Sequence, residues 1–360
     1  MRIGIITGGG DCPGLNAVIR AAVRTATGHY KWEVLGFLNG YKGLVENRFR
    51  KLDSSAVSGL LDRGGTIIGT SNMDNPFKFA EMVNGQRTYR DASDDVVKTY
   101  KENNLDGLIV VGGDGTLGIA LKLCREKGLN IVGVPKTIDN DLSATDYTFG
   151  FDTAVGIVTD AVDRIKTTAE SHERVMVVEV MGRDTGWIAL FAGLASGAHI
   201  ILIPEIPYTL EKVVTKIYER ETIGKHFCVV LVSEGAKPVG GHITIKRTVN
   251  DPSMGIRLGG VGNVIAQQIE DLTGIDTRVV TLGHVQRGGT PSAFDRILCT
   301  RLGVEAANMI HRKEFGMMAC LKTPDIKSVP LEQAAINRKV NPNDPMISEA
   351  KACGISFGDE

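Results

Sequence analysis

The sequence predicts an α/β protein of two similar lobes, each a mainly parallel sheet covered by helices, with a cleft between the lobes. Three observations predict it. Short apolar runs, such as Arg2 to Ile6, Leu108 to Val111 and Val175 to Val180, alternate with longer segments of helical periodicity, as parallel strands joined by crossover helices do. Glycines, 43 in all, lie in short clusters at the ends of these runs, and the whole pattern starts again past Asp141. The length, 360 residues, is enough for two cores of ordinary domain size.

The formal charge of −1 leaves no bulk attraction to nucleic acid or membranes, so charge must act locally. Six scattered cysteines lack the spacing of a metal knuckle or redox pair, and most fall in apolar runs, which predicts free buried thiols in a reducing compartment. No apolar stretch is long enough to span a bilayer, and the N-terminus enters a strand pattern at once. A soluble cytoplasmic protein is the expectation.

Arg2 to Ile6 is the first strand, and Thr7-Gly8-Gly9-Gly10-Asp11 turns it into a helix from Leu15 to Thr27. Bare amides in such a turn, together with the helix amino end, face an anion. The strand Glu33 to Phe37 leads to a loop, Asn39 to Gly43, in which Tyr41 either meets a flat ring or is an ordinary half-buried tyrosine. Gly64 to Phe79 is dense in turn formers and reads as loop. A helix from Ser93 to Asn103 feeds the strand Leu108 to Val111, which ends in Gly112-Gly113-Asp114-Gly115-Thr116 before a helix from Leu117 to Lys127. An aspartate in a glycine turn repels a phosphate unless Mg²⁺ bridges the two; the plainer reading makes Asp114 a helix cap. Gly115 lets a phosphate chain pass close to the backbone.

The strand Asn130 to Val134 runs into Pro135-Lys136-Thr137-Ile138-Asp139-Asn140-Asp141, at the strand end where open α/β sheets bind ligands. If Ile138 to Asp141 is extended, Asp139 and Asp141 share a face and repel unless a cation or a shared proton offsets them. One arrangement gives Asp141 to a metal and leaves Asp139 to take a proton from a hydroxyl; the other is a solvated Asp/Asn turn. The second series comprises a helix from Ala154 to Thr168, the strand Val175 to Val180, the loop Met181 to Trp187, the strand Ile200 to Ile203, a helix from Leu210 to Tyr218, and the strand Cys228 to Ser233 ending at Glu234. Pro238 to Pro252 reads as a surface loop or hairpin. A helix from Val264 to Leu272 and the strand Arg278 to Leu282 reach Gly283-His284-Val285-Gln286-Arg287-Gly288-Gly289, where His284 and Arg287 fit a grip on a dianion. A helix from Ser292 to Ile310 and the strand Met317 to Leu321 close the body, and Ile347 to Phe357 is apolar enough to pack back.

The segments 135–141, Met-Gly-Arg at 181–183 and 283–289, in that order and with the less specific turn at 112–116, resemble the 6-phosphofructokinases over nearly the whole chain. The ending Ala-Lys-Ala-Cys-Gly-Ile-Ser-Phe-Gly-Asp resembles the mixed-substrate subgroup, group III, whose members use ATP or pyrophosphate. The resemblance implies two Rossmann-like three-layer lobes with the active site in the cleft. Residues 1–141 with about 286–338 would hold nucleotide and Mg²⁺, and 142–285 with about 339–360 the sugar phosphate. It further implies transfer of a γ-phosphoryl group to the 1-hydroxyl of fructose 6-phosphate, with Asp139 as proton acceptor, Lys136, Thr137 and Arg183 beside it, and Asp114 and Asp141 on Mg²⁺. Gly10, Tyr41, Gly113, Asp114, Gly115 and Thr116 match the nucleotide side. Thr137, Ile138, Met181, Gly182, Arg183 and Glu234 match the sugar side, and Arg174, Arg278, His284 and Arg287 its 6-phosphate. In this family the arginines matching Arg174 and Arg278 come from a neighbouring subunit, which implies a homodimer or homotetramer with shared sites.

The chain combines Gly115, typical of ATP users, with Lys136, typical of pyrophosphate users; within the mixed subgroup that pairing resembles an ATP enzyme. The loop at Asn72 and Met73 lacks the arginine that touches the transferred group in relatives, and Lys136 is expected to supply the charge. Arg20 and Arg24 match effector-site cations, but Ser54 and Gly224 stand where others are basic, so control by ADP or phosphoenolpyruvate is expected to be weak. The rival readings are a pyrophosphate-dependent enzyme and a catalytically inactive sensor of nucleotide or sugar phosphate.

Overall fold

The computed structural model describes residues 1–83, 85–248, 256–334 and 336–359. The chain divides into two compact units. Met1–Thr137, Leu142–Asp152 and Arg287–Asn337 form one; Ile138–Asp141, Thr153–Gln286 and Arg338–Glu360 form the other.

In the first unit β1 (Arg2–Thr7) pairs in parallel with β2 (Glu33–Phe37), while β3 (Phe49–Leu52) lies antiparallel on the far side of β2. The helix α1 (Leu15–Arg24) is shorter than its periodicity implies. The hydroxyls of Thr25 and Thr27 bond back to the carbonyls of Ala21 and Val23, both at 2.8 Å, and the chain widens into a π-helical turn over Thr25–His29. Tyr41 opens a short helix, α2 (Tyr41–Val45), in place of the expected loop. The strands β4 (Phe79–Val83) and β5 (Gln86–Arg90) form a largely exposed antiparallel pair that begins at the end of the turn-rich stretch. After α3 (Ser93–Glu102), the strand β6 (Gly107–Gly112), helix α4 (Asp114–Lys127) and strand β7 (Ile131–Pro135) come in βαβ order. Every residue of β6 and β7 is buried, which is why these strands read as unbroken apolar runs: a parallel sheet is covered on both faces.

The second unit starts along α5 (Phe151–Ser171) and continues through β8 (Val175–Val180), α6 (Trp187–Ser196), β9 (Ile200–Leu202), α7 (Leu210–Thr222) and β10 (Cys228–Ser233). An antiparallel pair, β11 (Ile245–Thr248) and β12 (Ile256–Leu258), agrees with the hairpin reading; 249–255 lie outside the described residues. Then come α8 (Val261–Thr273) and β13 (Thr277–Thr281). The sheet is wholly parallel, in the order β13-β8-β10-β9. Glu179 is the polar exception inside β8. It is 3% exposed, and its carboxylate accepts from the amides of Gly260 (3.0 Å) and Gly262 (2.8 Å) at the amino end of α8, which offsets its burial.

The chain then returns to the first unit. After α9 (Ala293–His311), the strand β14 (Met317–Lys322) pairs in parallel with β7, and β15 (Asp325–Pro330) pairs antiparallel with β14 and leads into α10 (Leu331–Ala334). The finished sheet runs β15-β14-β7-β6-β1-β2-β3, five parallel strands with an antiparallel strand at each edge. The tail carries α11 (Pro345–Ala352) and packs back as its composition implies: Ile347, Ile355 and Phe357 are buried, and the Ser356 carbonyl accepts from the Ile201 amide at 2.9 Å. Four of the six thiols are buried and Cys353 is exposed. Among the described residues no helix is long and apolar enough to cross a membrane.

At the seam, Ile138–Asp141 belongs to the second unit and Leu142–Asp152 to the first, whereas the division expected from sequence keeps 1–141 together. The hydrogen bonds explain the exchange. Thr185 Oγ1 donates to the Asp139 carbonyl (3.3 Å) and the Arg338 amide to the Asp141 carbonyl (2.6 Å), while Ser143 Oγ donates to the Gln333 carbonyl (2.9 Å) and the Asp146 amide to that of Leu321 (2.9 Å).

Candidate active site

In the first unit the polar turns lie at the carboxyl ends of the neighbouring strands β1, β6 and β7. The Gly8 amide donates to the Val111 carbonyl and the Lys136 amide to that of Gly112, each at 2.9 Å, so the three strand ends are laced together. The Thr116 side chain fills the space where Gly8 and Gly112 lack one: a Cβ on Gly8 would lie 2.6 Å from Thr116 Cγ2, and one on Gly112 would lie 2.3 Å from Thr116 Cβ. Gly115 differs. A Cβ there meets nothing within 4 Å, and the residue is exposed, so neither packing nor backbone conformation asks for glycine.

Asp114 is the first residue of α4 and is exposed. The cap position belongs to Gly113 and no side chain caps it, so the helix-cap reading of Asp114 does not hold. Among the described residues no group of three or more His, Cys, Asp or Glu could hold a metal. Asp114, exposed at the amino end of α4, and the half-buried Asp141 are the carboxylates that could hold Mg²⁺, an ion that usually takes one or two carboxylates completed by phosphate and water oxygens.

Two cations point at the glycine turn after β1. Lys136, 4% exposed, donates its Nζ to the Gly10 carbonyl, and Arg287 donates Nη1 to the Asp11 carbonyl at 3.2 Å. A Cβ on Gly10 would sit 2.9 Å from Arg287 Nη1. Arg287, expected on the sugar phosphate, thus lies in the first unit with its guanidinium against this turn. Tyr41 needs correction: it is 4% exposed and its hydroxyl donates to the Thr116 carbonyl at 2.8 Å, so its ring faces the core and its contact holds the first turn of α4. Burial pushes its phenol well above the ordinary value.

In the second unit the loops extend from the carboxyl ends of β8, β10 and β13. The Met181 amide donates to Gln286 Oε1 (3.2 Å), and Gln286, fully buried, donates Nε2 to the Gly283 carbonyl (2.9 Å). The Arg183 amide donates to Glu234 Oε1 at 3.2 Å. Gly182 has φ 147, and a Cβ there would lie 2.4 Å from the Thr185 carbonyl oxygen, so this loop requires glycine. Arg183 has φ 51, a left-handed conformation that costs a non-glycine residue about 1–2 kcal/mol, and its side chain is 70% exposed. His284 is exposed in a 3₁₀ turn over Gly283–Arg287.

Asp139 is 8% exposed and Asp141 half-buried. The condition that would put both carboxylates on one face, an extended Ile138 to Asp141, is not met: Asn140 has φ 51, which breaks the alternation. The Ile138 side chain is wholly buried, leaving its main chain alone for a substrate contact. Thr137 is buried and its carbonyl accepts from Thr148 Oγ1 at 2.7 Å.

Arg174 and Arg278 lie at the opposite, amino ends of β8 and β13. Both pair with Asp276, Arg278 at 2.7 Å. A strand of six residues puts roughly 20 Å between them and the Met181–Arg183 loop. Gln286 and Thr185 hold these loops by hydrogen bonds that motif reasoning misses; a glutamine inside a glycine-rich motif is the available signal for the first.

A family model described as phosphofructokinase matches residues 2–310. The ATP-dependent 6-phosphofructokinase 2 of Clostridium perfringens (strain 13 / Type A) is 51% identical over 361 aligned residues, covering 99% of this chain and 98% of that protein. A pyrophosphate–fructose 6-phosphate 1-phosphotransferase of Streptomyces coelicolor is 49% identical over 99% of this chain and 100% of its own length. Among solved structures, phosphofructokinase from Saccharomyces cerevisiae superposes with a TM-score of 0.77 at 33% identity, over 93% of this chain and 45% of that one, so this chain spans less than half of the yeast protein. A pyrophosphate-dependent phosphofructokinase from Nitrosospira multiformis gives a TM-score of 0.82 at 22% identity, over 99% of this chain and 92% of its own, a likeness of fold.

Proposed function

Because the chain belongs to the phosphofructokinase family, we propose that it transfers the γ-phosphoryl group of ATP to the 1-hydroxyl of fructose 6-phosphate, giving fructose 1,6-bisphosphate and ADP. Gly115 is the observation that carries the choice of donor. Overall similarity barely separates donors, at 51% and 49% identity, whereas Gly115 leaves open space beside the first turn of α4 that the fold does not need.

In this reading the first unit holds nucleotide: amides of the turns around Gly10 and Gly113–Thr116 receive phosphate oxygens at the amino end of α4. Asp114 and Asp141 are the carboxylates that would hold Mg²⁺, which would supply charge neutralisation on the phosphates. Asp139 takes the proton of the attacking hydroxyl. Lys136 and Arg183 offset charge on the migrating group, Lys136 replacing the arginine that the loop at Asn72 and Met73 lacks. Met181, Gly182 and Glu234 orient the sugar in the second unit, and Thr137 hydrogen-bonds it. His284 and Arg287, with Arg174 and Arg278, grip the 6-phosphate. The roughly 20 Å between Arg174 or Arg278 and the Met181–Arg183 loop supports a second copy supplying those two, hence a homodimer as the smallest active form.

Lys136 and the Streptomyces relative favour pyrophosphate as the second reading. Comparing kcat/KM for ATP and for pyrophosphate, each with fructose 6-phosphate and Mg²⁺, in wild type and Gly115→Asp decides. ATP is expected to win in wild type. The added carboxylate should cost ATP at least about tenfold, since two like charges a few ångströms apart repel by on the order of 1–4 kcal/mol. Undiminished ATP turnover in Gly115→Asp would refute the role of the glycine.

A further inference from the structure

The four residues Ile138–Asp141 form a short stretch of the second unit between two segments of the first, and they carry a left-handed Asn140. No helix or strand fixes such a bend, so its hydrogen bonds must. Two of its carbonyls are held from a distance. Thr185 Oγ1 donates to the Asp139 carbonyl at 3.3 Å, and the Arg338 amide to the Asp141 carbonyl at 2.6 Å.

Arg338 begins the tail's passage through the second unit and is itself pinned. Its carbonyl accepts from Trp187 Nε1 at 3.2 Å, and its guanidinium lies 4.5 Å from the Trp187 ring centre. Two residues on, the Val340 amide donates to Glu205 Oε1 at 2.9 Å, and the same oxygen accepts from the Gly186 amide at 3.1 Å. Gly186 is the residue on which the loop from Met181 enters α6. One carboxylate oxygen therefore joins the end of the sugar loop to the tail that holds Asp141. The other, Oε2, is buried without a hydrogen bond, a costly arrangement for stability that suits a group kept for its place. Further along, Ser356 and the buried Phe357 fasten the tail beside β9, so Arg338 is anchored from both directions.

We propose that the returning C-terminal segment aligns the proton-accepting loop, with Arg338, through its main-chain amide, and Glu205, through its carboxylate, as positioning residues for phosphoryl transfer; this rests on the function proposed above. The chemical step tolerates little displacement, an error of about 1 Å being able to cost about a hundredfold. Nucleotide binding, made by the turns around Gly10 and Gly113–Thr116, depends on this alignment far less.

Arg338→Pro and Arg338→Ala both remove the guanidinium, but proline alone removes the amide that reaches Asp141. The proline variant is expected to have a kcat about tenfold or more below the alanine variant, with the KM for nucleotide alike within about twofold, and melting curves showing both folded. Equal kcat values in the two variants would overturn the proposal. Should the proline variant show no cooperative melt, Glu205→Leu against Glu205→Gln decides instead: glutamine keeps an acceptor for Gly186 and Val340 and leucine does not, so leucine must show the same selective loss of kcat, and equality again overturns it. Wild-type protein inactive with both donors would remove the functional reading itself, a result distinct from either comparison.

Discussion

The two units present ligands with different chemistry from the same kind of strand end. In the first, the turns beyond β1 and β6 are glycine and bare amide, laced over the Thr116 side chain, with Lys136 and Arg287 turned onto the loop. In the second, the loops beyond β8, β10 and β13 offer side chains: Arg183, Glu234 and His284, steadied by Gln286. Main-chain amides recognise charge and repetition, which suits a polyphosphate; individually placed side chains read a pattern of hydroxyls, which suits a sugar. Changes in the glycine turns of the first unit should therefore move donor use, and changes in the loops of the second the acceptor side of the reaction.

The sharpest break of that division is Asp139→Asn. It should lower kcat by about a hundred- to ten-thousandfold, as loss of a general base does, while the carbonyl that Thr185 holds is kept. Undiminished velocity would end the mechanistic reading. Next comes Lys136→Met, expected to cost at least about tenfold in kcat with ATP, as loss of one charge on a developing anion does; a smaller loss would count against its replacing the missing arginine.

The smallest effect concerns the stability of the second unit alone. His199 Nδ1 accepts from the Val229 amide at 2.9 Å, and burial, then the nearby Arg220, Lys166 and Lys216, push its pKa down to about 3. The unfolded chain takes up a proton near pH 6.5 that the folded one refuses. Stability is thus complete above that value and falls as pH drops through the window from 6.5 to about 3, by up to about 1.4 kcal/mol per pH unit. The melting temperature of His199→Gln, which keeps an acceptor, should fall less than that of wild type between pH 7 and 5; parallel curves would contradict this.

Legibility tracks burial and locality. β8 and β10 have the limits their apolar runs imply, because strands covered on both faces carry an unbroken signal. β3 and β5 are illegible in the sequence: short, charged and mostly exposed, they present no periodic pattern. The periodicity of α4 starts at Leu117 but the helix starts at Asp114, since Gly115 in the first turn disguises a helix as a loop. At the site, the glycine turns and the Met181–Arg183 loop are visible because the relevant residues are consecutive. The bend at Asn140, the buried ring of Tyr41 and the clasp of Glu205 are not, because each depends on partners that only tertiary structure supplies.

The chain passes back and forth between its units, so the larger sheet is assembled from pieces far apart in the gene. During synthesis β7 has to wait with an unpaired edge until Met317 leaves the ribosome, while the four-stranded sheet can already close. Such an edge invites pairing with other nascent chains. Neither unit corresponds to an uninterrupted fragment, and a fragment ending before Met317 would leave the larger sheet without β14 and β15 while the four strands of the smaller one stay together.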